Sequence, residues 1–146
     1  MIDKFENEYA FLSNFYDSPI TIEDITYPTV EHYFQAMKTM DIDARREIAA
    51  AATPGQAKRM GRSVNLRPDW EAVKFDIMRA GLVAKFSIPE LREKLLATGE
   101  ERLVEGNWWH DNIWGDCSCA DCVDKPGRNL LGMLLENVRA DIKIHL

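Results

Sequence analysis

The tightest constraint on this chain is its helix punctuation: between residues 29 and 99, helix starts and stops follow one another closely. A threonine hydroxyl can accept one of the free N–H groups that open a helix, so Thr29 predicts a cap for a helix from Val30 to about Met40. Asp43 predicts the cap of a second, Ala-rich helix that stops near Ala52. Thr53 followed by Pro54 restarts a third, with proline at the first helical position, where its missing N–H costs nothing. Pro68 opens the longest. There Trp70, Val73, Ile77, Gly81 and Ala84 recur at helical spacing and predict a buried stripe. Pro89 starts another, through Leu91, Leu95 and Leu96, which Gly99 ends. A last helix begins near Arg128 and buries Leu131, Leu134, Leu135 and Val138. Strand signals are confined to Phe11 to Tyr27, a β-branched and aromatic stretch broken by Asp17-Ser18-Pro19, which predicts a short hairpin. The expected fold is mainly α: one compact helical domain over residues 1–146 with a small N-terminal β-hairpin.

The size supports that expectation, because 146 residues can bury a core without staples. At 46% hydrophobic and 29% charged, the composition is that of a folded domain and not a disordered chain. The net charge of -6 disfavours a broad electrostatic grip on duplex nucleic acid, though not a local basic pocket. The opening MIDKFENEYAFLSNFY has no basic region followed by a long apolar run, so neither a secretory signal nor a membrane anchor is expected. The three cysteines all fall between Cys117 and Cys122, an odd and local cluster that makes a poor disulfide framework. A reducing, cytoplasmic setting is the expectation.

Two regions do not fit plain packing. The first is the helix YPTVEHYFQAMK, where Glu31, Gln35 and Lys38 share one face and Tyr33, Met37 and Met40 share another, better suited to the core. Glu31 lies in the first turn, where the helix dipole favours an anion. A carboxylate and an amine two turns apart can flank a ligand, the carboxylate stabilising positive charge and the amine attacking a carbonyl carbon. The same spacing also fits a solvated face, and the residues alone favour that reading. His32 points elsewhere and reads as a structural histidine. Asn14, among the aromatics of FLSNFY, reads alone as a turn or cap residue.

The second region is the irregular segment 101–126. Trp108, Trp109 and Trp114 crowd it beside Asp111 and Asp116. An indole can stack on a base while a carboxylate faces the sugar, which is the equipment for breaking a ribosyl C–N bond through an oxocarbenium-like state. Plugging a core is the more common fate of any single tryptophan, but is less natural for three beside Gly115-Asp116. Cys117, Cys119 and Cys122 space as C-x-C-x-x-C, and Cys119 with Cys122 matches half of a zinc knuckle. A second C-x-x-C is absent. With His110, Asp116 or Asp121 as the possible fourth ligand, plain reduced thiols are favoured, and neither metal nor cofactor is assigned. Lys58 and Arg59 read as surface charges. Arg128, at the expected helix start, is placed to meet a phosphate.

Taken in order, FLSNFY, YPTVEHYFQAMK, PGQAKRMGR, RPDWEAVKFDIM, LVAKF, LLATG with LVEGN, WGD and GRNLLGMLLENVR resemble the NADAR family of YbiA-like N-glycosidases over nearly the whole chain. The resemblance implies a mainly α fold and hydrolysis of N-glycosidic bonds in ribosylated or ADP-ribosylated compounds. One branch of the family acts on early phosphorylated riboflavin intermediates, and another removes ADP-ribose from guanine. The family's glutamate falls on Glu31 and its D-W-E tryptophan on Trp70. Its W-G-D pair falls on Trp114 and Asp116. Lys38 falls on the lysine that ends the helix motif, which can form a Schiff base with an opened ribose. Asn14, Arg62, Arg128 and Asn129 match positions suited to sugar or phosphate. After W-G-D this chain reads CSCADCVDKPG, where YbiA-like members are often Gly- and Lys-rich.

The expected substrate is therefore a small nucleotide-like compound or ADP-ribosylated guanine in nucleic acid, with no membrane partner. Two rivals lie outside catalysis. A nucleotide or ADP-ribose binding module would not need both Glu31 and Asp116 near an anionic ligand. A zinc-knuckle adaptor would hold stoichiometric zinc.

Overall fold

The computed structural model describes residues 1–146, and its backbone groups into two compact units: residues 14–88, and residues 1–13 together with 89–146. In the first unit, β1 (Ile20–Ile22) pairs antiparallel with β2 (Ile25–Tyr27), with Ile20 opposite Tyr27. The hairpin is shorter than Phe11 to Tyr27 and turns elsewhere. Its corner is Glu23-Asp24, both at positive φ (52° and 67°), the geometry of a two-residue turn whose twist matches the strands. Asp17-Ser18-Pro19 instead leads into β1, and Phe11 belongs to a 3-10 turn over Asn7–Leu12.

Four helices follow: α1 (Val30–Ala36), α2 (Ile42–Ala49), α3 (Pro54–Gly61) and α4 (Trp70–Lys85). The Thr29 hydroxyl accepts the His32 N–H at 3.1 Å and so caps α1 as expected. Thr53 caps α3 through the Gln56 N–H. For α2 the cap is Asp41 and not Asp43, since the Asp41 carboxylate accepts the N–H groups of Asp43 and Ala44. α1 also stops short of Met40, which is 60% exposed, while Tyr33 and Met37 are buried as expected. The buried stripe of α4 is rotated from the expected one. It runs through Met78, Gly81, Leu82 and Lys85, while Val73, Ile77 and Ala84 are only partly buried. Trp70 and Gly81 belong to both.

His32 is a structural residue. Its Nε2–H donates to the Ala51 carbonyl at 3.0 Å and its Nδ1 meets the Thr29 hydroxyl at 2.8 Å. Both ring nitrogens are thus occupied in tying α1 to the turn after α2.

In the second unit, α5 (Pro89–Ala97) buries Leu91 and Leu95 and ends at Gly99, whose φ of +65° marks the expected stop. β3 (Gly106–Asn107) and β4 (Asp116–Cys117) form a two-residue parallel pair. α6 (Leu130–Ile144) buries Leu131, Leu135 and Val138 as expected, and Leu134 only partly. α6 begins two residues after Arg128, because Asn129 takes a left-handed φ of 50°. The fold is mainly α with one small hairpin, as the punctuation predicts. No helix is long and apolar enough to cross a membrane.

Candidate active site

All seven residues of α1 are buried, which overturns the solvated-face reading of its polar side. Glu31 is only 8% exposed. A carboxylate at that depth needs partners, and the Gln35 side chain one turn on donates to its Oε1 at 2.8 Å. The Glu31 backbone N–H donates to the Asn14 carbonyl at 3.1 Å, which draws the FLSNFY segment against the start of α1. The Asn14 side chain is buried too, and its amide donates only weakly, to the Met78 sulfur at 3.5 Å.

Two buried acceptors bordering Glu31, Asn14 Oδ1 and Gln35 Oε1, have no hydrogen-bond partner. Buried polar atoms are nearly always paired, so Asn14 Oδ1 marks a place where a ligand's hydroxyl or N–H group can be accepted, whereas Gln35 Oε1 is covered by Gly61 of α3.

The approach of α3 depends on a missing side chain. A Cβ built on Gly61 would lie 2.0 Å from Gln35 Oε1 and 2.9 Å from its Cδ. Gly61→Ala is therefore expected to push the Gln35 amide off Glu31. A thermal melt of the variant should show a loss of about 1–3 kcal/mol, the usual cost of overpacking, and turnover should fall with it.

Lys38 follows α1 in the turn after Met37, half-buried. Burial holds its amine below the ordinary lysine range; the Glu31 carboxylate opposes this, and the Arg62 and Lys58 charges add to it. The ammonium lies 6.0 Å from the Trp70 ring centroid, and Trp70 in turn packs on Phe34 with centroids 5.0 Å apart. Trp70 is buried at the start of α4, so it is at once core and wall. Arg62, just past α3, is exposed. Glu31, Gln35, Lys38, Trp70 and the Arg62 and Lys58 charges thus form one neighbourhood within residues 14–88: a buried carboxylate, a weakened ammonium, an indole and two cations.

Lys85 escaped the sequence reading. It is fully buried, with its ammonium 5.6 Å from the Tyr16 ring centroid and 5.2 Å from that of Phe86. Its sequence signals were a lysine inside an apolar helical stripe and its place in the LVAKF segment.

In the other unit, Asp116 Oδ1 accepts the Gly127 N–H at 2.9 Å, and the Asp116 N–H donates to the Glu105 carbonyl. Gly127 must lack a side chain, since a Cβ would come within 2.3 Å of the Gly115 carbonyl oxygen. Trp114 is partly buried, whereas Trp108 and Trp109 are 73% and 49% exposed and stack edge-on with each other. Asn129 is buried, its Oδ1 accepting from the Glu105 N–H and its Nδ2 donating to the Leu103 carbonyl. Arg128 is exposed. Asn107, also missed, organises the loop: its Oδ1 accepts from the N–H groups of Trp109 and Asp111, and its Nδ2 donates to the Asp111 carbonyl.

A cleft of about 420 Å³ lies beside α2 and α3, lined by Thr39, Asp41, Glu47, Met60, Ser63 and Asn65 among others. None of the expected site residues lines it. With carboxylates and no cation, it suits an anionic nucleotide poorly, and the Glu31 neighbourhood is the better candidate.

The NADAR domain family matches residues 2–143, and the chain belongs to that family. It is 43% identical over 141 residues to N-glycosidase YbiA of Escherichia coli K12, spanning 94% of this chain and 84% of that protein. It is equally identical to N-glycosidase Npun_R5314 of Nostoc punctiforme, over 92% and 86% of the two chains. The Riboflavin biosynthesis protein VVA0006 of Vibrio vulnificus is 34% identical, over 96% of this chain and 37% of that longer one. The NMR structure of E. coli YbiA superposes with a TM-score of 0.81 at 41% identity, covering 99% of this chain and 88% of that one.

Proposed function

We propose that this chain hydrolyses the N-glycosidic bond of a ribosylated or ADP-ribosylated nucleobase-like substrate, with ADP-ribosyl-guanine as the leading candidate, using Glu31 as its catalytic carboxylate. The class of reaction is that of its relatives: the chain is an N-glycosidase, a hydrolase of N-glycosyl bonds. The observation that carries the assignment of Glu31 is its burial in one neighbourhood with the unpartnered Asn14 amide oxygen and the Lys38 amine.

As the C1′–N bond breaks, its electron pair leaves with the base and positive charge develops on the ribose. A fixed, poorly solvated carboxylate stabilises that charge far more than water would. Water then adds at C1′, and one of its protons ends on the departing nitrogen. Asn14 Oδ1 is suited to accept a ribose hydroxyl, Trp70 to stack a flat base, and Arg62 to meet a phosphate. In a second route the ribose ring opens as O4′ takes a proton, and the Lys38 amine adds to C1′. The C1′–N bond to the base breaks with the base leaving protonated, and water hydrolyses the resulting Lys38 imine to free the amine and the ribose aldehyde. For the W-G-D segment the proposal rests on residue type and motif. Asp116 supplies a carboxylate, Trp114 an indole and Arg128 a cation for phosphate, while Asn129, buried with both side-chain polar atoms bonded to the backbone of Leu103 and Glu105, holds the start of α6 in place.

Asp116→Asn tests that part. The amide oxygen can still accept the Gly127 N–H, so the melting temperature should hold while kcat falls by about 10²-fold or more. Wild-type kcat in the folded variant would remove Asp116 from catalysis.

A second substrate reading, early phosphorylated riboflavin intermediates, draws support from the relatives named for riboflavin biosynthesis. Release of free base from each compound separates the two. The net charge of -6 favours a small footprint on any nucleic acid. Three free cysteines fit a reducing, cytoplasmic setting.

A further inference from the structure

We infer that His110, Cys117, Cys119 and Cys122 form a structural zinc site that holds the segment carrying Trp114-Gly115-Asp116 in place. The four potential ligand atoms lie within 4.8 Å of one another. His110 Nδ1 is 3.3 Å from Cys119 Sγ and 3.4 Å from Cys122 Sγ. Zinc at its usual bond lengths to nitrogen and sulfur, in a tetrahedron, sets N···S separations of about 3.5 Å and S···S separations of about 3.8 Å. The cluster is thus already close to the size of a loaded site. Three thiolates and one imidazole make a closed set that leaves no position for substrate, which is the signature of a structural and not a catalytic metal. Soft sulfur donors with an imidazole select zinc over magnesium or calcium.

The surroundings also fit a thiolate. Cys117 Sγ accepts two backbone N–H groups, from His110 at 3.3 Å and from Cys119 at 3.5 Å. Such N–H···S bonds are the outer support that metal-bound sulfur commonly has. His110 holds a left-handed φ of 71° while its ring meets the cysteines.

An independent argument comes from what the segment lacks. Between β3 and α6 its regular structure is confined to the two residues of β4. Trp108, Trp109, Ile113 and Val123 are all exposed, so apolar burial does little to hold it. An irregular segment of that length without a core of its own needs another staple. The three thiols are free and form no disulfide staple, whereas a metal bound by them would supply one. Cys117 directly follows Asp116 in β4, so the metal would fix the backbone of the W-G-D turn at its far end. Sequence spacing favoured plain thiols because the fourth ligand is a lone histidine upstream and not a second C-x-x-C.

Binding converts three thiols to thiolates and releases three protons to solvent, the imidazole entering neutral through Nδ1. Elemental analysis of the full chain, purified without a histidine tag, is expected to give about one zinc per molecule. Cobalt(II) exchanged into the site should show the strong visible absorption of a tetrahedral thiolate centre. His110→Ala and Cys119→Ser should each retain under roughly a tenth of an equivalent after dialysis against a chelator, with helical circular dichroism confirming the fold. Should a variant fail to fold, cobalt reconstitution of the wild-type chain decides alone. A folded wild-type chain that takes up neither zinc nor cobalt under anaerobic conditions, and still titrates three free thiols, would overturn the inference.

Discussion

Glu31→Gln is expected to lower kcat for base release by about 10²–10³-fold, the usual loss when one electrostatic stabiliser of a transition state is removed. The substitution keeps the size and the acceptor oxygen, so the Gln35 side chain can still donate to residue 31 at its present 2.8 Å. What it removes is the charge. Glu31 is buried, so little water stands in for that charge when the ribose becomes cationic. The variant should therefore fold with a melting temperature at or above that of the wild type, since a buried carboxylate has been neutralised. Binding should change much less than turnover, because the ground-state substrate carries no positive charge at C1′. A fall in KM-linked affinity with unchanged kcat would instead make Glu31 a binding residue.

Lys38→Arg is expected to abolish any adduct trapped by borohydride, and to lower kcat by about 10²–10⁴-fold if the imine route carries the flux. Arginine preserves the positive charge beside the Trp70 ring, but it offers no neutral amine. The pH dependence follows from the direction of the Lys38 shift. Burial lowers its pKa, with Glu31 opposing and Arg62 and Lys58 reinforcing. Between the folded and unfolded values the unfolded chain binds more protons. The stability that Lys38 contributes is thus present in full above the ordinary lysine range and is lost as pH falls through the folded value. Imine formation needs the neutral amine, so the alkaline rise in kcat/KM should lie below the ordinary lysine range. It should disappear in Lys38→Arg. Full activity without a trapped adduct would assign the flux to the direct oxocarbenium route.

Much of the helical frame was legible because its signals are local. Thr29, Thr53-Pro54 and Gly99 each act within a turn of where they stand, and each does in the structure what its residue type dictates. The misreadings have equally local causes. Asp41 and Asp43 are both competent caps, and the choice between them fell to the backbone and not to residue type. The hairpin corner lacks the usual glycine or asparagine, so Glu23-Asp24 gave no signal and Asp17-Ser18-Pro19 drew the turn in its place. The α4 stripe is rotated because Met78, Leu82 and Lys85 lie on the buried side with Gly81, and a lysine there gives no apolar signal.

The site was less legible because its chemistry depends on burial, which spacing does not report. Glu31, Gln35 and Lys38 were correctly placed near one face, yet an identical pattern describes a solvated helix. What distinguishes them is α3 closing over Gln35, which needs Gly61 far along the chain. The cysteine cluster is the same case: His110 stands seven residues before Cys117, and only the loop's path brings its ring to the thiols.

The most direct test of the account is to present a panel of N-ribosides, including ADP-ribosyl-guanine and the aminouracil riboside phosphates, to the wild-type chain and to Glu31→Gln, and to measure free base released. The account predicts rapid release from at least one compound by the wild type and a loss of about 10²–10³-fold in the variant. Equal release by both proteins from every compound cleaved would contradict it.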